Sequence, residues 1–136
     1  MNAFIALFTA FSTLNVATDT IRCDGYYLHV AEQASTWHLL YFRADGTFMD
    51  STSSGTPPVF QKEDLEGFRG KYHFLSTKNQ KVIEFSTNSL TSIIGIPGAN
   101  TFIYGFGRDE LIFMEWLDNK KHKWRDMKES YFFIPF

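Results

Sequence analysis

A single cysteine, Cys23, stands among the 136 residues. No disulfide can form within the chain, so a packed core must hold the fold together. Positive charge is not in excess either: 13 Lys and Arg against 15 Asp and Glu leave a net charge of −2. That balance lacks the basic footprint of a nucleic-acid-binding domain. No apolar run approaches the about 20 residues that a membrane-spanning helix needs. A glycine-rich phosphate loop is missing, because Gly105-Phe106-Gly107 reads as a strand end and turn with no helix behind it. The histidines at 29, 38, 73 and 122 are scattered. His29 and His38 could be cross-strand neighbours, but no third ligand accompanies them, so neither metal nor cofactor is expected.

What the chain has in abundance is aromatic surface: 15 Phe, 6 Tyr and 3 Trp, 18% of all residues. With 44% hydrophobic and 21% charged residues, this is a globular composition, not a disordered one. The length suits one domain.

The chain divides into an N-terminal segment, 1–20, and a remainder, 21–136. Phe4, Leu7, Phe8 and Phe11 recur at i, i+3, i+4 and i+7, the spacing of one helix face. A short helix closing one end of the fold is the first reading. The second is a secretory signal, for which the stretch from Ala3 to Phe11 is an apolar core, although no basic residue precedes Arg22. The expected location is the cell envelope or outside the cell, with a cytoplasmic one left open if 1–20 is a docked helix.

From Gly25 onward the period changes to two. Strands are expected at 25–31, 36–43, 47–51, 70–76, 81–86, 101–106, 111–117 and 129–134, rich in β-branched and aromatic residues and separated by Gly, Pro, Asn, Asp and Ser. Ala44-Asp45-Gly46 is a tight hairpin turn. Short connectors make neighbours antiparallel. Eight such strands most economically close into an all-β, antiparallel up-and-down barrel, which has no free edge; a β-sandwich is the alternative.

The stretch Leu40-Tyr41-Phe42-Arg43-Ala44-Asp45-Gly46-Thr47-Phe48 resembles the second hairpin of bacterial lipocalin-like domains of the calycin type. Gly70-Lys71-Tyr72 is similar to the Gly-x-Tyr that opens a middle strand in them, and Tyr104 with Asp109 to Phe113 to a later hairpin. The resemblance covers most of 24–136. It departs at Gly25-Tyr26-Tyr27, where true lipocalins carry Gly-x-Trp. It implies a small barrel and, in some members, an apolar small-molecule ligand.

In so small a barrel alternate residues point inward. Unpaired carboxylates avoid the interior, so Glu84 and Glu115 are expected outside, with Ile83, Phe85, Ile112, Met114 and Trp116 inside. Tyr72 and Phe74 join them, and the His38, Leu40, Phe42 face of the second strand is placed inward. A ligand pocket would then be walled by Phe42, Tyr72, Phe74, Phe85, Met114 and Trp116, with His38 and Tyr72 as polar anchors. The bland alternative is a barrel that these rings fill completely. The basic run Lys120-Lys121-His122-Lys123-Trp124-Arg125 is diluted by acidic neighbours and reads as a solvated connector before the last strand. Cys23 lies near Asp24 and His29 in sequence, which does not make a catalytic dyad.

Three functions follow in order. The first is a non-enzymatic barrel that binds a small apolar or amphipathic ligand. The second is a filled-barrel module whose surface contacts a protein, although nothing identifies that partner. An enzyme is third, for want of an acid–base constellation.

Overall fold

A computed structural model describes residues 20–31, 33, 35–76, 79–87 and 94–136. The helix expected over Phe4 to Phe11 lies outside the described residues. Eight strands follow one another: β1 (Gly25–Ala31), β2 (Thr36–Phe42), β3 (Thr47–Ser54), β4 (Gly70–Ser76), β5 (Lys81–Thr87), β6 (Thr101–Gly107), β7 (Glu110–Asp118) and β8 (Lys123–Pro135). Each pairs antiparallel with the next, and β8 returns to β1, so the sheet closes as an up-and-down barrel. The sandwich is thereby excluded. Apart from the strands, the chain between β3 and β4 makes one 3-10 turn at Lys62–Asp64.

The hairpin turn between β2 and β3 forms where the Asp-Gly pair stands. The Arg43 amide donates to the Thr47 carbonyl at 2.9 Å and Gly46 takes φ 88°, a conformation glycine adopts without steric cost. The Asp45 carboxylate accepts from the Thr47 amide at 2.9 Å and from its hydroxyl at 2.6 Å. Gly70 answers a different need, close approach. A Cβ there would lie 2.0 Å from the Ser86 carbonyl oxygen, so any side chain would force β4 away from β5.

β3 and β4 are joined only weakly, by the two register pairs Thr47 with Lys71 and Phe48 with Gly70. The chain between them crosses the outside of the barrel as a strap. Arg43 ties the strap down through the Leu65 carbonyl at 3.0 Å and the Gly67 carbonyl, and the Tyr26 hydroxyl accepts from the Phe60 amide at 3.2 Å. Under the strap Tyr26, Leu28, Trp37, Leu39, Tyr41 and Leu65 form a second apolar cluster. Both faces of β2 are therefore buried.

Inside, the aromatic rings fill one half of the barrel, here called the lower half, towards the β2–β3 turn. Ring contacts run without a break from Tyr131 to Phe113 (5.4 Å), Phe102 (5.3 Å), Phe85 (5.9 Å) and Phe48 (4.8 Å). Phe42 branches from Phe85 to meet Tyr72 and Tyr27. Edge-to-face geometry dominates, the arrangement the ring quadrupoles favour. Phe42, Phe48, Phe85, Phe102 and Phe113 are wholly buried.

β7 departs from the expected alternation. Leu111 and Phe113 face inward and are wholly buried, whereas Ile112 and Met114 were expected there. Met114 is 42% exposed and its methyl group lies beside the Cα of Gly105 on the outer surface. The cause is a bulge between Phe113 and Glu115 in the pairing with β8. One extra residue resets the alternation, so Trp116 packs against the core as expected. β8 is also longer than the sequence suggests. Lys123, Trp124 and Arg125 pair with Asp118, Leu117 and Trp116, so the second half of the basic run is strand, not connector. Asp118 makes this possible by accepting from the Lys120 and Lys121 amides at 3.1 and 3.2 Å and from Arg125 Nε at 2.7 Å.

Two stability predictions follow from this interior. Phe85→Ala removes a ring contacted on several sides and should cost about 3–5 kcal/mol in urea unfolding. Burial raises the phenols of Tyr27, Tyr72, Tyr104 and Tyr131 above their ordinary value. Because the folded state resists ionisation that the unfolded chain accepts, their contribution is complete below about pH 10 and declines above it. Thermal melting should therefore fall steeply once the pH exceeds that value.

Candidate functional site

The upper half of the barrel is lined differently. A cleft of about 530 Å³ opens there, towards the β1–β2 connection. Its side chains come from inward positions at the upper ends of β1, β2 and β3, from β8, and from the loop residues Arg69, Ile94 and Gly95. Register explains the convergence: His29 on β1 stands opposite His38 on β2, which stands opposite Thr52 on β3. Asp50, two residues before Thr52, shares that inward face, as do Glu129 and Tyr131 on β8.

These groups form two connected sets. In the first, His38 Nδ1 lies 2.5 Å from the Tyr131 hydroxyl and His38 Nε2 lies 3.0 Å from Asp50 Oδ2. Arg69 Nη1 then meets Asp50 Oδ1 at 3.0 Å. Asp50 can only accept, so Nε2 carries a proton. Burial, and then the nearby charges of Glu129 and Asp50, push the Tyr131 phenol well above its ordinary range. It keeps its proton and shares a hydrogen bond with Nδ1. The Asp50 carboxylate is 7% exposed, and Arg69 provides the counter-charge that its burial requires. Arg69 also sits at the seam that β3 and β4 leave thinly paired, with its own amide on the Phe48 carbonyl at 2.8 Å.

In the second set, His29 Nδ1 lies 3.0 Å from the Ser130 carbonyl oxygen and Nε2 lies 2.8 Å from Glu129 Oε2. The two sets meet at Tyr131, whose ring is 5.3 Å from that of His29 and 5.7 Å from that of His38.

Of the seven residues expected to form a pocket, only His38 lines this cleft. Phe42 and Phe85 belong to the solid lower core, because eight strands leave an interior that bulky rings can fill. Tyr72 packs against that core and its hydroxyl donates to the Arg43 carbonyl at 2.6 Å. Phe74 is at the lower rim, 46% exposed, with its ring against Tyr72 and Tyr104. Met114 is outside, and Trp116 faces in beneath the Arg125 guanidinium at 6.0 Å. Six of the seven therefore lie away from this cleft, whose lining is largely polar. His29, Asp50, Arg69, Glu129 and Tyr131, which line the cleft, were not among the residues expected from the sequence. The available signal was parity: Asp50 is two residues from Phe48, and Glu129 is two from Tyr131, on strands with an inward face.

At the lower end, burial pushes the Cys23 thiol up, away from the thiolate that nucleophilic chemistry needs. Among the described residues no group of three His, Cys, Asp or Glu is arranged to hold a metal ion, and no helix is long and apolar enough to cross a membrane. The chain matches no protein-family model, no curated protein and no solved structure.

Removing one partner from the buried pair leaves the other unsatisfied. Asp50→Ala should therefore cost about 3–5 kcal/mol of stability in denaturant unfolding, far more than replacement of an exposed carboxylate such as Glu63, which should change it by under about 1 kcal/mol.

Proposed function

We propose that this protein is a non-enzymatic, lipocalin-like barrel that binds a small amphipathic molecule in its upper cleft. The observation that carries the reading is the division of the interior: rings pack the lower half solid, while a 530 Å³ space with a polar floor remains above. Sites of this size that enclose a small molecule combine apolar walls with a few placed polar groups. Here Ile94 and the Tyr131 ring supply apolar surface, and the histidines and carboxylates supply the polar groups. Binding without turnover is supported by the engagement of both ring nitrogens of His29 and of His38 by wall groups. The apolar stretch from Ala3 to Phe11 supports a place at the cell envelope or outside the cell.

Native mass spectrometry of the protein from its own source should show a small-molecule adduct. Thr52→Trp, at an exposed position on the cleft wall, should eliminate the adduct, while loss of its hydroxyl's bond to the Trp37 carbonyl should cost the bare protein only about 1 kcal/mol. A protein that is bare under gentle conditions, and whose melting temperature no small molecule raises, would sink the reading.

The alternative, a protein-interaction module, is favoured by one observation. Val30, Phe132 and Met114, on the neighbouring strands β1, β8 and β7, point outward and are 45%, 56% and 42% exposed. Exposed apolar side chains grouped on one face suit a contact surface.

A further inference from the structure

Given a cleft that binds small molecules, we infer that its ligand is an organic ammonium ion, held by Glu129 and His29 in exchange for a proton. The starting point is hydrogen-bond accounting at His29. Nδ1 faces the Ser130 carbonyl at 3.0 Å and Nε2 faces the Glu129 carboxylate at 2.8 Å. Both partners are acceptors, and an imidazole with one N–H can satisfy only one of them. A neutral ring therefore leaves one of the two acceptors without a donor, and in the proposed site a further proton, on Nε2 or on Glu129, fills that place until the guest arrives.

The other charged and titratable groups facing the cleft do not offer the same opportunity. Asp50 is matched by Arg69 at 3.0 Å and by His38 at 3.0 Å, and is 7% exposed. Tyr131 is a neutral phenol. Glu129 and His29 are 35% and 24% exposed, so a guest can reach them. Glu129 Oε2 is engaged by His29, and among the described residues no group of the protein bonds Oε1.

An ammonium group brings both the charge and the N–H donors that the stored proton now provides. It can donate to Nε2 and to Glu129 while Nδ1–H keeps its bond to Ser130. One proton then leaves to solvent for each ammonium that enters, and the net charge of the site does not change. Ile94 gives apolar surface for the alkyl body. A carboxylate ligand would meet Glu129 with like charge and find Arg69 already committed to Asp50.

Hexylammonium, hexanoate and 1-hexanol share a body and differ in the head group, so they are the probes. Isothermal titration of the full chain in two buffers of different protonation enthalpy should show binding of hexylammonium alone, with release of about one proton per ligand. Glu129→Gln keeps the shape of the wall and should weaken that binding at least about tenfold. His29→Gln removes the stored proton and retains the carboxylate, so the amine should still bind but without proton release. Hexanoate or hexanol binding as tightly as the amine, or amine binding with no proton release by the wild-type protein, would overturn the ammonium assignment and leave the cleft as a binding site. Failure of all three probes at millimolar concentration would count against both.

Discussion

Closure of an eight-stranded sheet is the constraint from which the rest of this structure follows. Once β8 pairs with β1 from Gly25 opposite Pro135 to Leu28 opposite Phe132, the circumference is set, and with it the volume that inward side chains must occupy. Rings from β2, β3, β5, β6 and β7 occupy the lower half at edge-to-face distances. The same inward rows continue upward, but there they carry histidine, carboxylate, threonine and tyrosine. One set of backbone registers thus generates both a solid core and a cleft, and the two meet at Tyr131, whose ring touches Phe113 of the core and both histidines of the cleft.

The polar floor is assembled so that every charge in it has an answer. Asp50 is enclosed by His38 and Arg69, and Glu129 by His29. A half-satisfied buried network would cost more than an apolar filling. The partner that each carboxylate has here explains how both tolerate inward positions in so small a barrel. It also ties elements that the sheet leaves loosely connected, since Arg69 reaches across the seam beside β3 to a carboxylate on that strand.

Much of the architecture was legible in the sequence because it depends on local rules. Asp45-Gly46 makes a turn whatever surrounds it, and the alternation in Lys81 to Ser86 places Ile83 and Phe85 inward with Glu84 between them. The site was less legible because it depends on exceptions to such rules. The rule that sends carboxylates outward holds for Glu84 but fails for Asp50, whose partners arrive from 12 and 19 positions away in the chain. Alternation failed at Met114 because a bulge is a property of two strands together, and Ile112-Phe113-Met114 carries no local mark of it. On β2 the pattern was ambiguous for a physical reason: the strap buries Trp37, Leu39 and Tyr41 on the outer face as deeply as Leu40 and Phe42 are buried on the inner one.

The thin seam between β3 and β4 has a mechanical meaning. A closed barrel has no free edge, so any breathing must begin where the fewest backbone bonds are broken. Two register pairs hold this seam, against seven between β2 and β3 and seven between β4 and β5. Its upper part is closed by a guanidinium and a carboxylate instead of a ladder, on the wall of the cleft itself. The thinnest line of the closed sheet therefore runs beside the cleft, where a side-chain latch between Arg69 and Asp50 takes the place of ladder bonds.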